Sequence, residues 1–269
     1  MRSCIVVLGL LAFTGAFQAE AAGKPVALIW KGSKDKAEAE AQRDTWADLG
    51  RLLEKTGLTL PDGHPKLVES KTVPGLKPGF WVWLVGTCTS DDAGPVLEHL
   101  KRLAPGTYSR PVKLAAKKLA CPKPPDSPLL ARDEVLKLSS GEALRVFTQE
   151  ESESPDEEGR GDSISRTRFH FVLFGKDGEV LATEDAEGDL DVSGNDPGSG
   201  PTSYRCDGTS IETQEDDGKM VLTRHCSANA SAECGSMLSA DESVTVTVKD
   251  SAVSASAVER TDVQYAECE

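Results

Sequence analysis

Phe80-Trp-Val-Trp-Leu-Val85, followed by Gly86-Thr87-Cys88, decides how the first half of this chain folds. The run is short, aromatic and partly β-branched, and glycines bound it at both ends, so it reads as a buried strand rather than a helix. On its C-terminal side Ala93, Val96, Leu97 and Leu100 recur at helical spacing, and Pro105-Gly106 closes that helix. Thr107 to Leu114 can form a further strand. On its N-terminal side Val26-Ala-Leu-Ile-Trp30 is a strand turning at Lys31-Gly32-Ser33. Residues 35–56 carry Trp46, Leu49 and Leu53 at i, i+3 and i+7 with Leu52 beside them, a helix with one buried face that Gly57 ends. Lys66-Leu-Val-Glu-Ser70 is a weaker strand. The order is βαββαβ, and its two halves echo each other as VALIWKGSKDKAEAEA and WVWLVGTCTSDDAGPV. Such a doubling predicts a split, ferredoxin-like sheet with both helices on one face.

PGFWVWLVGTCTSDDAGPVLEHLKR resembles the second half of a SPOR-type domain, in which a strand with a late Gly passes through a small turn into a helix. The resemblance covers roughly residues 24–118 and implies a secreted module that recognises peptidoglycan strands. This sequence departs from the family in the all-apolar first strand, in Gly94-Pro95 at the start of the second helix and in the long Leu58 to Lys66 loop. Pro95 is expected to open the first turn of its helix. No binding residue of the family carries over.

Cys121-Pro122-Lys123-Pro124-Pro125-Asp126-Ser127-Pro128 reads as a stiff linker between a first domain (24–120) and a second (136–269), with 121–135 between them. Beyond it the hydrophobic period changes to two. Ala143 to Thr148, Thr167 to Leu173, Glu179 to Thr183, Ser210 to Gln214, Met220 to His225, Ser243 to Val248, Ala252 to Glu259 and Asp262 to Ala266 read as short strands, with Asp-Gly turns at Asp177-Gly178 and Asp217-Gly218. The fold class is therefore α+β, a βαββαβ domain followed by an all-β antiparallel sandwich or barrel. The acidic stretch from Gln149 to Asp162 reads as a mobile loop.

Residues 1–21 have the charged start, apolar stretch and Ala19-Glu20-Ala21 ending of a secretory signal peptide. The expected location is extracytoplasmic, periplasmic or secreted. No later run is long enough to span a membrane. Seven cysteines less Cys4 leave Cys88, Cys121, Cys206, Cys226, Cys234 and Cys268, an even set. Their distribution predicts Cys88–Cys121 in the first domain and two bridges among the four in the second. The spacing lacks the paired knuckles of a structural zinc site. The formal charge of −14 is unevenly spread. Lys24 to Pro124 has 17 basic and 11 acidic residues, net +6, whereas Pro125 to Glu269 has 12 and 32, net −20. Expected export, rather than the whole-chain charge, argues against nucleic acid as a partner, and the split fits an anionic envelope partner for the first domain or attraction between the two domains.

Motifs of catalysis are missing: no H-E-x-x-H, G-x-S-x-G, Walker A or G-x-G-x-x-G occurs. Gly161-Asp162-Ser163-Ile164-Ser165 resembles the nucleophile block of GDSL-type hydrolases, but no D-x-x-H follows to supply an oriented base. Arg160-Gly161-Asp162 is a chance tripeptide. Asp189-Leu-Asp191-Val-Ser193-Gly194 opens like a calcium loop, yet Gly200 stands where the bidentate Glu belongs. Asp185, Glu187, Asp189 and Asp191 are the candidate ligands of an irregular calcium site; no other cofactor is implied. Trp30, Trp81 and Trp83 carry the binding hypothesis. If Phe80, Val82 and Leu84 face the helices, alternation sends Trp81 and Trp83 to an open sheet face where an indole can stack on a sugar. The reading is noncatalytic binding at the cell envelope, to peptidoglycan glycan or to an envelope protein. The alternatives are a structural or protein-interaction role for the acidic β domain, and a hydrolase without a recognisable motif.

Overall fold

The computed structural model describes residues 23–156, 161–196, 200–228 and 235–267. The expected signal peptide, Arg160, Cys4, Cys234 and Cys268 lie outside them. The first part runs β1 (Pro25–Ser33), α1 (Lys36–Glu40), α2 (Arg43–Lys55), β2 (Lys66–Glu69), β3 (Trp81–Thr89), α3 (Ser90–Leu103) and β4 (Tyr108–Pro111). Then follow β5 (Leu130–Lys137), β6 (Ala143–Glu153), β7 (Ser163–Phe174), β8 (Val180–Asp196), β9 (Gly200–Gln214), β10 (Lys219–Ala228), β11 (Met237–Lys249), β12 (Ala252–Ala255) and β13 (Glu259–Tyr265). Strand outweighs helix by 54% to 17%, so antiparallel sheets carry an α+β fold.

The first sheet has the order β2-β3-β1-β4, with every neighbouring pair antiparallel. Its helices begin on local signals. Asp35 caps α1 by accepting from the Glu38 amide at 3.0 Å. Thr89 caps α3, accepting from the Asp92 amide while its hydroxyl donates to the Asp92 carboxylate at 2.7 Å. Pro95 sits inside α3 rather than in its first turn, because the helix starts earlier, at Ser90. The single helix expected over 35–56 is broken at Ala41-Gln42.

Both faces of the β1–β3 pair are buried. One meets the helices through Leu28, Trp30, Trp83 and Val85. On the other, Ala27, Ile29, Val82 and Leu84 lie under Val73 and Val112. The expected facing of β3 is therefore reversed. The large indoles fill the gap between sheet and helices, and the smaller side chains lie under a closely applied loop.

The second sheet is nine-stranded, in the order β12-β11-β10-β9-β8-β7-β6-β5, with β13 also paired to β11. It folds over on itself, so that β12 lies against β8 and β7 without pairing to them. Leu144, Val146, Phe169 and Phe171 meet Met220, Leu222 and Val246 across that interior. The opposite face of β6 and β7 presents Phe147, Val172 and Phe174 to the helices of the first part, where they share one cluster with Leu49, Leu53, Val96 and Leu100. Cys88–Cys121 ties the end of β3 to the Pro-rich segment, and Cys206–Cys226 joins directly opposed residues of β9 and β10. These two disulfides suggest an oxidising environment. Among the described residues no helix is long and apolar enough to cross a membrane.

Three further expectations are corrected. Leu129 is fully buried and Leu130–Lys137 is strand β5, so the ordered β structure begins inside the stretch read as linker. Gln149 to Glu153 belongs to β6 rather than to an acidic loop. Its charges are matched across the ladder, with Arg166 and Arg168 donating to Glu151 at 3.0 and 2.7 Å. Asp185 to Asp191 is likewise strand rather than loop.

Candidate functional site

The site is built around an irregularity in β1. Ile29 pairs with Leu84 and Gly32 with Val82, so three steps along β1 match two along β3 and Trp30-Lys31 bulges out of the ladder. Bulges re-aim side chains and recur beside functional sites. Here the Lys31 ammonium lies 5.0 Å from the Trp30 ring and donates to Gln42 Oε1 at 2.8 Å.

On the face of the first sheet away from the helices lies a groove of about 520 Å³. Ile29 and Val82 form its floor, Phe80, Leu76 and Tyr108 its apolar walls, and Lys77 and Arg110 its cations. The Arg110 guanidinium stands 5.0 Å from the Tyr108 ring centroid. The segment Val73-Pro-Gly-Leu-Lys-Pro-Gly-Phe80 supplies one wall, and its two Pro-Gly turns place Gly75 and Gly79 at φ 101° and 92°. A Cβ on Gly75 would stand 3.0 Å from the Val112 backbone, and the Lys113 amide donates to the Pro74 carbonyl at 2.7 Å. The wall is thereby fixed to the chain leaving β4.

The three tryptophans singled out from sequence lie elsewhere. Trp30 and Trp83 are only 3% and 2% exposed. Trp30 meets Trp46 and Trp83 edge-on at 4.9 and 6.4 Å, and Trp83 Nε1 donates to the Ala39 carbonyl at 2.7 Å. Neither indole face is open to a sugar ring. Trp81 is half-buried, with the Lys36 ammonium 5.1 Å from its ring. The groove residues form no motif along the chain, and their one sequence signal is the repeated Pro-Gly before Phe80, which announces a shaped loop.

The calcium candidates do not converge. Asp185 is held by Lys55 Nζ at 2.7 Å and His170 Nδ1 at 3.0 Å. Burial acts to raise its carboxyl, and the hydrogen bonds from His170 and Lys55 outweigh that and hold it below the ordinary range. Glu187 lies 3.6 Å from Arg166, and Asp189 accepts from both the amide and the hydroxyl of Thr209. Asp191 is exposed. Among the described residues only Cys206, Cys226 and Glu242 bring three metal-binding groups within 4.8 Å, and those two sulfurs are joined in a disulfide. Ser163, in the GDSL-like block, is exposed at the start of β7, and all four imidazoles bond to other groups.

A larger cleft of about 770 Å³ lies between Lys55, the Pro-rich segment and β6. Most of its charges are engaged within the chain, Lys55 with Asp185, Glu150 with Thr167 and Glu151 with Arg166 and Arg168, and Lys123 and Asp126, of opposite sign, share its lining. The sheet-face groove instead presents aromatic walls with two cations that form no ion pair to a carboxylate among the described residues. Comparison with protein-family models, with curated proteins and with solved structures finds no match.

Proposed function

We propose that this chain is an exported, noncatalytic binding protein of the cell envelope whose ligand is an acidic glycan of the peptidoglycan type. The observation that carries the reading is the groove on the first sheet. Apolar rings of the protein suit the apolar face of a sugar, and Lys77 and Arg110 suit a carboxylate on it. The split βαβ order of the sheet and the resemblance of residues 24–118 to SPOR-type domains support the same ligand class, but the binding surface moves from Trp30, Trp81 and Trp83 to Phe80, Tyr108 and Arg110. The net +6 of the first part favours an anionic polymer there.

The test uses the whole mature chain with purified sacculi. Retention that weakens with salt and falls in Tyr108→Ala and Arg110→Ala is the expected result. A chain that stays in the supernatant at low salt overturns the reading.

A further inference from the structure

The groove does not stop at the sheet face. Tyr108 also lines a second depression, of about 340 Å³, on the helix side of the β1 bulge, together with Lys31, Gly32, Glu38 and Gln42. The two are adjacent along one strand: Ile29 floors the first, and Lys31 and Gly32 line the second. Gly32 marks the saddle between them. A Cβ there would stand 3.0 Å from Val82 Cγ1 and 3.8 Å from the Tyr108 hydroxyl, so the absence of a side chain keeps the passage low. The second depression sets polar side chains, Lys31, Ser33, Glu38 and Gln42, beside the edges of the largely buried Trp30 and Trp83. Lys31 donates to Gln42 at 2.8 Å, and Ser33 donates to Glu38 at 2.5 Å. Planar amide and carboxylate groups beside an ammonium make a hydrogen-bonding surface for vicinal hydroxyls.

We infer that the site takes an extended oligosaccharide that stacks against Tyr108 and Phe80, crosses the Gly32 saddle and ends against Lys31 and Gln42. This inference rests on the glycan reading above and adds to it a second subsite and a minimum ligand length. A disaccharide occupies the sheet-face groove alone. A longer strand engages both depressions, and its affinity gains from contacts that the short ligand never makes.

The experiment measures binding of the full mature chain to peptide-free glycan strands of graded length, from disaccharide to octasaccharide. Affinity is expected to rise steeply once the strand exceeds the first groove. Lys31→Ala and Gln42→Ala are each expected to weaken the octasaccharide about fivefold, the loss of one hydrogen bond, and to leave the disaccharide unchanged. Arg110→Ala is expected to weaken both. Thermal melts of the variants confirm that each is folded. Affinity independent of length, or variants at Lys31 and Gln42 that weaken short and long strands alike or neither, overturns the second subsite while the glycan reading stands. Failure of every length to bind overturns both.

Discussion

His99 Nε2 and Thr56 Oγ1 lie 2.9 Å apart in the layer where α3 meets the end of α2. The Thr56 hydroxyl donates its hydrogen to the Leu52 carbonyl at 2.9 Å, so the imidazole must donate through Nε2 and keep Nδ1 bare. That nitrogen is buried without a hydrogen-bond partner. Burial, then Arg102 and His170, push the His99 pKa down to about 4. The folded chain thus binds fewer protons at this site than the unfolded chain between pH 6.5 and 4. The contribution is complete above pH 6.5 and is lost as the pH falls through 4, at most about 3 kcal/mol. Melting temperature followed from pH 7 to pH 4 is expected to fall, and His99→Gln is expected to flatten that slope. An equal slope in the variant rules the assignment out.

The carboxylate of Glu242 is 2% exposed and is clasped by Arg224 at 2.7 Å and Arg260 at 2.9 Å. Burial works to raise its pKa, and the two guanidinium groups prevail and keep it below the usual carboxylate range. Glu242→Ala leaves Arg224, itself largely buried, without its counter-charge. The expected cost is about 3–5 kcal/mol, read by urea denaturation. A change in stability of under about 1 kcal/mol would show that water reaches the arginine readily.

Phe147 stands on the second sheet but packs among the helices of the first part, 6.4 Å from Phe174. Phe147→Ala is expected to cost about 3–5 kcal/mol. Because all three buried tryptophans lie in the same cluster, their fluorescence and the far-ultraviolet circular dichroism are expected to lose structure in one coincident transition. Two separated transitions would show that the halves unfold independently.

Peptide mapping without reduction is expected to recover Cys88 with Cys121 and Cys206 with Cys226. Outside the expected signal peptide, which holds Cys4, the two cysteines then left are Cys234 and Cys268, and their peptides are expected to be linked. In the loop-entropy account the Cys88–Cys121 bridge, spanning 33 residues, is worth roughly 3–4 kcal/mol. A mixture of pairings in the map would contradict the described bridges.

The elements of the first sheet were legible because β3 is an uninterrupted apolar run and α2 keeps its Trp46, Leu49, Leu53 stripe. Which face of β3 meets the helices was not. Alternation assigns faces only when one of them is polar, and Val82 through Cys88 are all buried. β5 carries no clear strand pattern, because Leu130–Lys137 mixes charged and apolar residues at the edge of its sheet. The acidic second halves of β6 and β8, from Gln149 and from Asp185, read as solvated loops, and the arginines of β7 set opposite them make them strand. The groove was hidden for another reason: Phe80 and Arg110 are distant in sequence, and only the pairing of β4 onto β1 brings them to one surface.

The interior shared by the two sheets has a practical corollary. A gene cut at Pro122–Pro128 would not yield two portable modules, because each fragment would carry an oily scar where Phe147 and Val172 had met Leu53 and Leu100. Shuffling, fusion or truncation at that apparently natural seam is therefore expected to lay apolar surface bare on both portions.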